Sequence, residues 1–446
     1  MSSWGFYGQP VGETASNPKT IQKTLTYGIN RAYKRALANA KKKAEFKSIA
    51  PALTAVSLAK IDVAKDTVNA VFNDDPRRVP LKEILSLAIK TSHEMRAMSE
   101  DVRYAYIDIH TGIQRELFCS TEGACIDQSH ALTQGLVFVV AQKKGETPET
   151  CYDYLGDIRG WEVLKGRNVY KQSLHDFALQ KARETLELID AEFLKATDGP
   201  VVVVTNPHFN ALLVHEIVGH PTEADRALKL ETAYAGRSWL FRDFQDNELG
   251  KQIASPLVTA YSDPALTGYG HFKYDMEGTP GRRVNLIENG IFKEFMNGRE
   301  YAAILNQPPN GSMRAIEPHY VPIVRMTNTV FANGNNDSHG IISEVKNGYY
   351  IVNHRIPSIS ESRENFRISA QKVYKIEDGQ IKKLYRQGGI TADSKDFLMN
   401  IDAVGNDFAV FPIPNCGKGQ PMQTMRVGNG GPTLRSKARL TGHQEL

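Results

Sequence analysis

The chain has little cysteine: Cys119, Cys125, Cys151 and Cys416 in 446 residues. Four thiols are too few to staple a protein of this size, so a disulfide scaffold is excluded and a reducing, cytoplasmic setting is the default expectation. Long apolar runs are also missing. Runs such as Val201-Val202-Val203-Val204 have strand length, whereas a membrane-spanning helix needs about 20 apolar residues. The start, MSSWGFYGQP, has no basic segment followed by an apolar one, so no secretion signal is read. There is no G-x-S-x-G elbow, no complete G-x-G-x-x-G and no P-loop. Cys119 and Cys125 are spaced too widely for a C-x-x-C pair. What is present is ordinary globular composition, 41% hydrophobic and 23% charged. The length suits two or three domains with a sizeable core.

Charge is unevenly spread. Residues 1–60 carry ten Lys and Arg against Glu13 and Glu45, a net +8, within a chain whose formal total is +4. Asn17-Pro18 reads as an N-cap and first helical residue. Ile21, Leu25, Ile29, Ala32, Ala36 and Ala40 then recur at helical spacing, with the basic residues mostly between them. The segment is either a basic partner surface or the solvated face of one helix.

Further along, a helix is expected after Pro80, and strands over 104–110, 116–119 and 135–142, with Thr121-Glu122-Gly123 as a turn. A loop containing Trp161 should begin at Pro148. A long helix is expected from about Gln172 to Lys195, ended by Asp198-Gly199-Pro200. Val201–Thr205 reads as a buried strand and His208–Val218 as a short helix. Hairpin chemistry recurs at Asn289-Gly290, Asn347-Gly348 and Asp378-Gly379. The expected fold is α+β: an N-terminal α/β region with long helices, then a large β-rich C-terminal domain. The expected division is 1–79, 80–197 and 198–446.

The chemistry concentrates in Ala211–His220, ALLVHEIVGH. His215, Glu216 and His220 form an H-E-x-x-x-H pattern on an apolar helix. Two imidazoles are zinc ligands by type, and the adjacent Glu can take a proton from water activated by the metal. In the familiar H-E-x-x-H motif the His residues are one turn apart. Here they are i and i+5, which diverge by roughly 140° in a regular helix. A π-bulge, or a helix ending near Gly219, would bring them together. Pro221 favours an ending, because the residue before proline is pushed out of helical geometry. His220 is therefore expected at a distorted helix terminus. Cys416, in the Pro- and Gly-rich stretch 412–419, which reads as a loop, is the candidate third ligand, or else a small buried hydrophobe. Gly428-Asn429-Gly430-Gly431 reads as a turn.

With HEIVGH, Glu223, Asp225, Glu277-Gly278-Thr279-Pro280-Gly281, Asn285–Gly290, Arg325–Thr329 and Asn415-Cys416-Gly417 in that order, the sequence resembles the TldD/PmbA family, TldD-like metalloprotease branch. The resemblance spans nearly the whole chain and is strongest after residue 195. It implies a zinc-dependent peptidase acting on peptides or unfolded polypeptides, with one zinc per chain bound by His215, His220 and Cys416 and with Glu216 as general base. It also implies a dimer, with a PmbA-type partner or with a second copy, enclosing the active site. Tyr320, His319 and Arg325 are polar candidates near that cavity, or structural groups. One departure is that Trp4-Gly5-Phe6 stands almost at the start, so the first part of the family's N-terminal domain is expected to be missing. PmbA-type chains lack the H-E-x-x-x-H residues, which argues against the alternative of a non-catalytic partner subunit. A nucleic-acid-binding role for the basic segment, at a sequence pI near 8.6, lacks any zinc-finger or RNA-recognition signature or aromatic interleaving.

Overall fold

The structure, a computed structural model, describes residues 17–54, 57–233 and 236–442. Trp4-Gly5-Phe6 lies outside them. The first helix, Pro18–Ile49, starts where its cap chemistry places it, with the Asn17 side chain accepting from the Lys19 N–H. None of its residues is buried, and Leu25 and Ile29 of the expected apolar stripe are 59% and 65% exposed. This is an α+β protein.

A first sheet of four strands follows. Val102–Cys119 and Cys125–Ala141 form one long hairpin, so the two separate strands expected over 104–119 are a single strand. Along the edge of Cys125–Ala141 away from Val102–Cys119, Lys65–Val68 pairs in parallel at the start and Glu149–Asp157 antiparallel further on. That last strand replaces the loop expected after Pro148. Its inward positions include Glu149 and Asp153 as well as Cys151 and Leu155, which hides the period-2 apolar signal. Asp153 is satisfied by Lys181 at 2.8 Å and His208 at 3.2 Å. Helix Leu81–Ala97 joins the core on this sheet through Met95, and helix Leu174–Ile189 through Leu174, Phe177, Ala178 and Ala182. The second helix ends earlier than expected, and Glu192–Phe193 instead pairs with Tyr385 and Arg386.

Beyond residue 200 the chain is mostly sheet. Six strands lie in the order Ala409–Lys418, Gln423–Gly431, Asn328–Phe331, Ala260–Ser262, Val284–Glu288, Ile291–Phe292. A second sheet runs Asn347–Ile359, Val201–Thr205, Leu434–Thr441, Gly389–Asp393, Asn365–Glu377, and the first of these also pairs with the last. Those strands close into a ring, which removes exposed edges. The turns at Asn289-Gly290 and Asp378-Gly379 form as read, with positive φ at all four residues. Lys346-Asn347-Gly348 is not a hairpin turn. It leads from helix Ser338–Ser343 into strand Asn347–Ile359, whose register begins at Asn347 opposite Glu377. No described helix is long and apolar enough to cross a membrane.

Helix Pro207–Val214 lies between the two large sheets, against Gln423–Gly431 and Ala409–Lys418 on one side and Asn347–Ile359 on the other. Phe209, Leu212, Leu213, Ile217 and Val218 anchor it in the main core. With most of its surface fixed by packing, the residues at its C-terminal end are held in place.

Candidate metal centre

The helix carrying HEIVGH changes character at its first His. Pro207–Val214 is α-helical, His215–Gly219 is a π turn, and His220–Thr222 is a 3₁₀ turn. The His220 N–H donates to the His215 carbonyl, the i→i+5 bond that defines a π turn. The extra residue cancels the divergence expected for this spacing. The two imidazoles stand 4.7 Å apart, nearly perpendicular. Met326 packs closely on Gly219, where a Cβ would lie 2.0 Å from Met326 Sδ.

Cys416 meets them from the six-stranded sheet. It is not in a loop, as its Pro- and Gly-rich surroundings suggested, but on strand Ala409–Lys418, at a register shift after Ile413. The strand ends its sheet, so Pro412 and Pro414 cost it little. Cys416 Sγ is 3.5 Å from His220 Nε2, and the candidate ligand atoms of His215, His220 and Cys416 lie within 4.8 Å of one another. All three residues are at most 4% exposed.

Each imidazole is oriented through its far nitrogen. His215 Nδ1 is 3.0 Å from Asn429 Oδ1, and His220 Nδ1 is 2.9 Å from Glu223 Oε2. Both Nε2 atoms therefore face the cluster, the tautomer arrangement that metal-bound His requires. Asn429 is not in a turn, as the glycines around it suggested, but on strand Gln423–Gly431, where its amide donates to the Thr329 carbonyl. Glu223 Oε2 also takes Arg226 Nε at 2.8 Å and Lys418 Nζ at 3.1 Å, and Lys418 reaches Asp225 at 2.7 Å. Asn429, Arg363 and Lys418 were not legible as site residues. Their partners lie 147 to 214 residues away in sequence.

The electrostatics follow from this crowding. Burial pushes the Cys416 thiol up, but His215, His220 and Arg325 outweigh it and hold the group well below the ordinary thiol range. Burial pushes the His215 imidazolium down, and Cys416 and Glu216 outweigh that, raising it to about 9. Glu216 is the next residue on the turn. Burial alone would raise its carboxyl, but Arg363 first, then His215 and His220, bring it below its usual range. Arg363, buried and at positive φ, pairs directly with Glu216 Oε2. Arg325 donates to the carbonyls of Gln423 and Cys416 and so braces the sulfur-bearing strand pair. His319 pairs with Glu317 at 3.2 Å, and Tyr320 is half-buried beside it.

The donor set fits zinc. Zinc–nitrogen and zinc–sulfur lengths of about 2.0–2.3 Å put two tetrahedral ligands roughly 3.5 Å apart, the Cys416–His220 separation found here. A four-coordinate zinc held by these two nitrogens and one thiolate would keep one position for an oxygen of water or substrate.

Comparisons with known proteins bear on the family and the fold. Residues 198–442 match the family model described as the PmbA/TldA metallopeptidase C-terminal domain. A metalloprotease of Methanothermobacter thermautotrophicus is 28% identical, covering 82% of this chain and 75% of its own. A zinc metalloprotease TldD homolog of Saccharolobus solfataricus is 32% identical over 56% of this chain and 52% of its own. The solved structure of TldE from Thermococcus kodakarensis superposes with a TM-score of 0.61 at 17% identity, over 96% of this chain and 86% of that one.

Proposed function

The chain belongs to the TldD/PmbA family of metallopeptidases, and we propose that it is itself a zinc-dependent peptidase, with zinc on His215, His220 and Cys416 and Glu216 as general base. The observation that carries this reading is the π turn, which brings an i, i+5 His pair onto one thiolate with a carboxylate beside them. Bound there, zinc supplies a Lewis acid for the scissile carbonyl and lowers the pKa of water to about 7. The protein's residues do the rest. Glu216 takes the proton of the attacking water and passes it to the leaving amine. Arg363 fixes the carboxylate's orientation through the ion pair. Asn429 and Glu223 keep both Nε2 lone pairs on the cluster.

The substrate class we propose is a peptide or unfolded polypeptide in extended form. Strand Ala409–Lys418, which carries Cys416, ends its sheet and offers main-chain groups to an added strand, a mode that reads little side-chain sequence. We further propose a dimer, with a PmbA-type partner or with a second copy. Helix Pro18–Ile49, none of whose residues is buried, is in keeping with an assembly. The test is metal analysis paired with cleavage of an unfolded polypeptide, alone and with any co-purifying partner, before and after a chelator. Cleavage that disappears on chelation and returns with zinc supports the reading. A chain that holds no zinc and cleaves nothing in either state contradicts it.

A further inference from the structure

Two cysteines with no part in the metal centre face each other at the far end of the N-terminal hairpin. The turn Ser120–Ala124 closes the hairpin, with the Ser120 N–H donating to Ala124 O and the Gly123 N–H to Ser120 O. Its last pair is Cys119 opposite Cys125. The Cys125 N–H does not point across this pair. It donates to Ala64 O at 2.9 Å, on the side where Lys65–Val68 joins the sheet. Cys119 and Cys125 are therefore a non-hydrogen-bonded pair, the closer of the two antiparallel types, with Cα atoms about 4.5 Å apart. A disulfide spans Cα separations of about 4.4–6.8 Å. The sulfurs are already 3.8 Å apart, and both residues are exposed.

We infer that Cys119 and Cys125 form a reversible dithiol–disulfide site, oxidised by low-molecular-weight disulfides. The Cys119 thiol donates to Cys125 Sγ, so in the proposed order Cys125, the acceptor, attacks first. Its thiolate displaces one thiolate from the oxidant RSSR and forms a mixed disulfide. Cys119, losing its proton, attacks Cys125 Sγ and releases the second thiolate. Overall, two thiols and one RSSR give one intrachain disulfide and two RSH. The other cysteines are poor candidates. Burial pushes the Cys151 thiol up to about 12, and Cys416 faces the two histidines. The site also has a mechanical setting. Glu122 at the tip pairs bidentately with Arg299, at 2.6 and 2.9 Å, so the disulfide would tie off the turn that grips the β-rich part of the chain.

The test uses the full chain in its native state with oxidised glutathione as the probe, followed by acid quench, alkylation and peptide mass analysis. Both sulfurs fall on one tryptic peptide, residues 116–143. The expected result is that this peptide becomes lighter by two hydrogens, without adduct, and that reduced glutathione reverses the change. In Cys119→Ser the remaining Cys125 should instead keep a stable glutathione adduct, because nothing resolves it. The inference is overturned if the peptide keeps both thiols, if glutathione persists on both sulfurs of the unsubstituted chain, or if the bond formed links two chains.

Discussion

His215 and His220 are each pinned at Nδ1 by an oxygen, from Asn429 and Glu223, and present Nε2 to the same thiol. If these contacts set the tautomers, Asn429→Ala should weaken zinc affinity about 10–100-fold, the usual range for outer-sphere partners. Competition against a calibrated chelator measures this, and unchanged affinity would remove Asn429 from the account. Cys416→Ser should lower zinc content in the purified protein, because a neutral hydroxyl replaces a thiolate. An unchanged stoichiometry would exclude Cys416 as a ligand. At this scale the sequence was informative for residues that sit together and silent for those that do not. His215, Glu216 and His220 lie within six positions and declare their chemistry by type. Asn429 and Arg363 are ordinary residues whose meaning comes from the fold that delivers them.

The π turn over His215–Gly219 is the element on which the centre depends, because it converts an i, i+5 spacing into a shared ligand face. Its tight packing on Met326 gives a direct test. Gly219→Ala places a methyl 2.0 Å from Met326 Sδ, an overpacking that typically costs about 1–3 kcal/mol and that should also reduce bound zinc. Adding Met326→Ala should restore the zinc, while a loss that persists in the double variant would mean the turn fails for another reason. The sequence predicted a distorted helix end here from spacing and Pro221. Sequence reading did less well where local chemistry misleads. Pro412 and Pro414 suggested a loop, yet an edge strand tolerates them. Buried Glu149 and Asp153 masked a strand, because their partners Arg355 and Lys181 are remote. Asn-Gly and Asp-Gly turns at 289–290 and 378–379 were legible because positive φ is a local demand.

Across the whole molecule, two half-buried histidines are held toward the neutral form. Burial brings His130 down to about 4 and His354 to about 3, with His271 and His208 adding to the effect in turn. In the unfolded chain both titrate near 6.5. The unfolded state therefore binds more protons below that value, and stability present above about pH 6.5 is lost as the pH falls toward 4. Each group should remove on the order of 2 kcal/mol between pH 7 and pH 5. Thermal melts at the two values check this, and His130→Gln should flatten the dependence. An unchanged melting temperature between pH 7 and pH 5 would show that these histidines titrate alike in both states. The overall α+β plan was legible from periodicity, whereas the closed ring of strands was not, since its pairings join distant segments such as 201–205 with 434–441. The central claim is that the π turn, the thiolate and Glu216 make a hydrolytic zinc site. The most direct measurement is zinc content and unfolded-polypeptide cleavage in Glu216→Gln. Zinc retained with cleavage lost is the predicted result, and full cleavage by that variant would contradict the account.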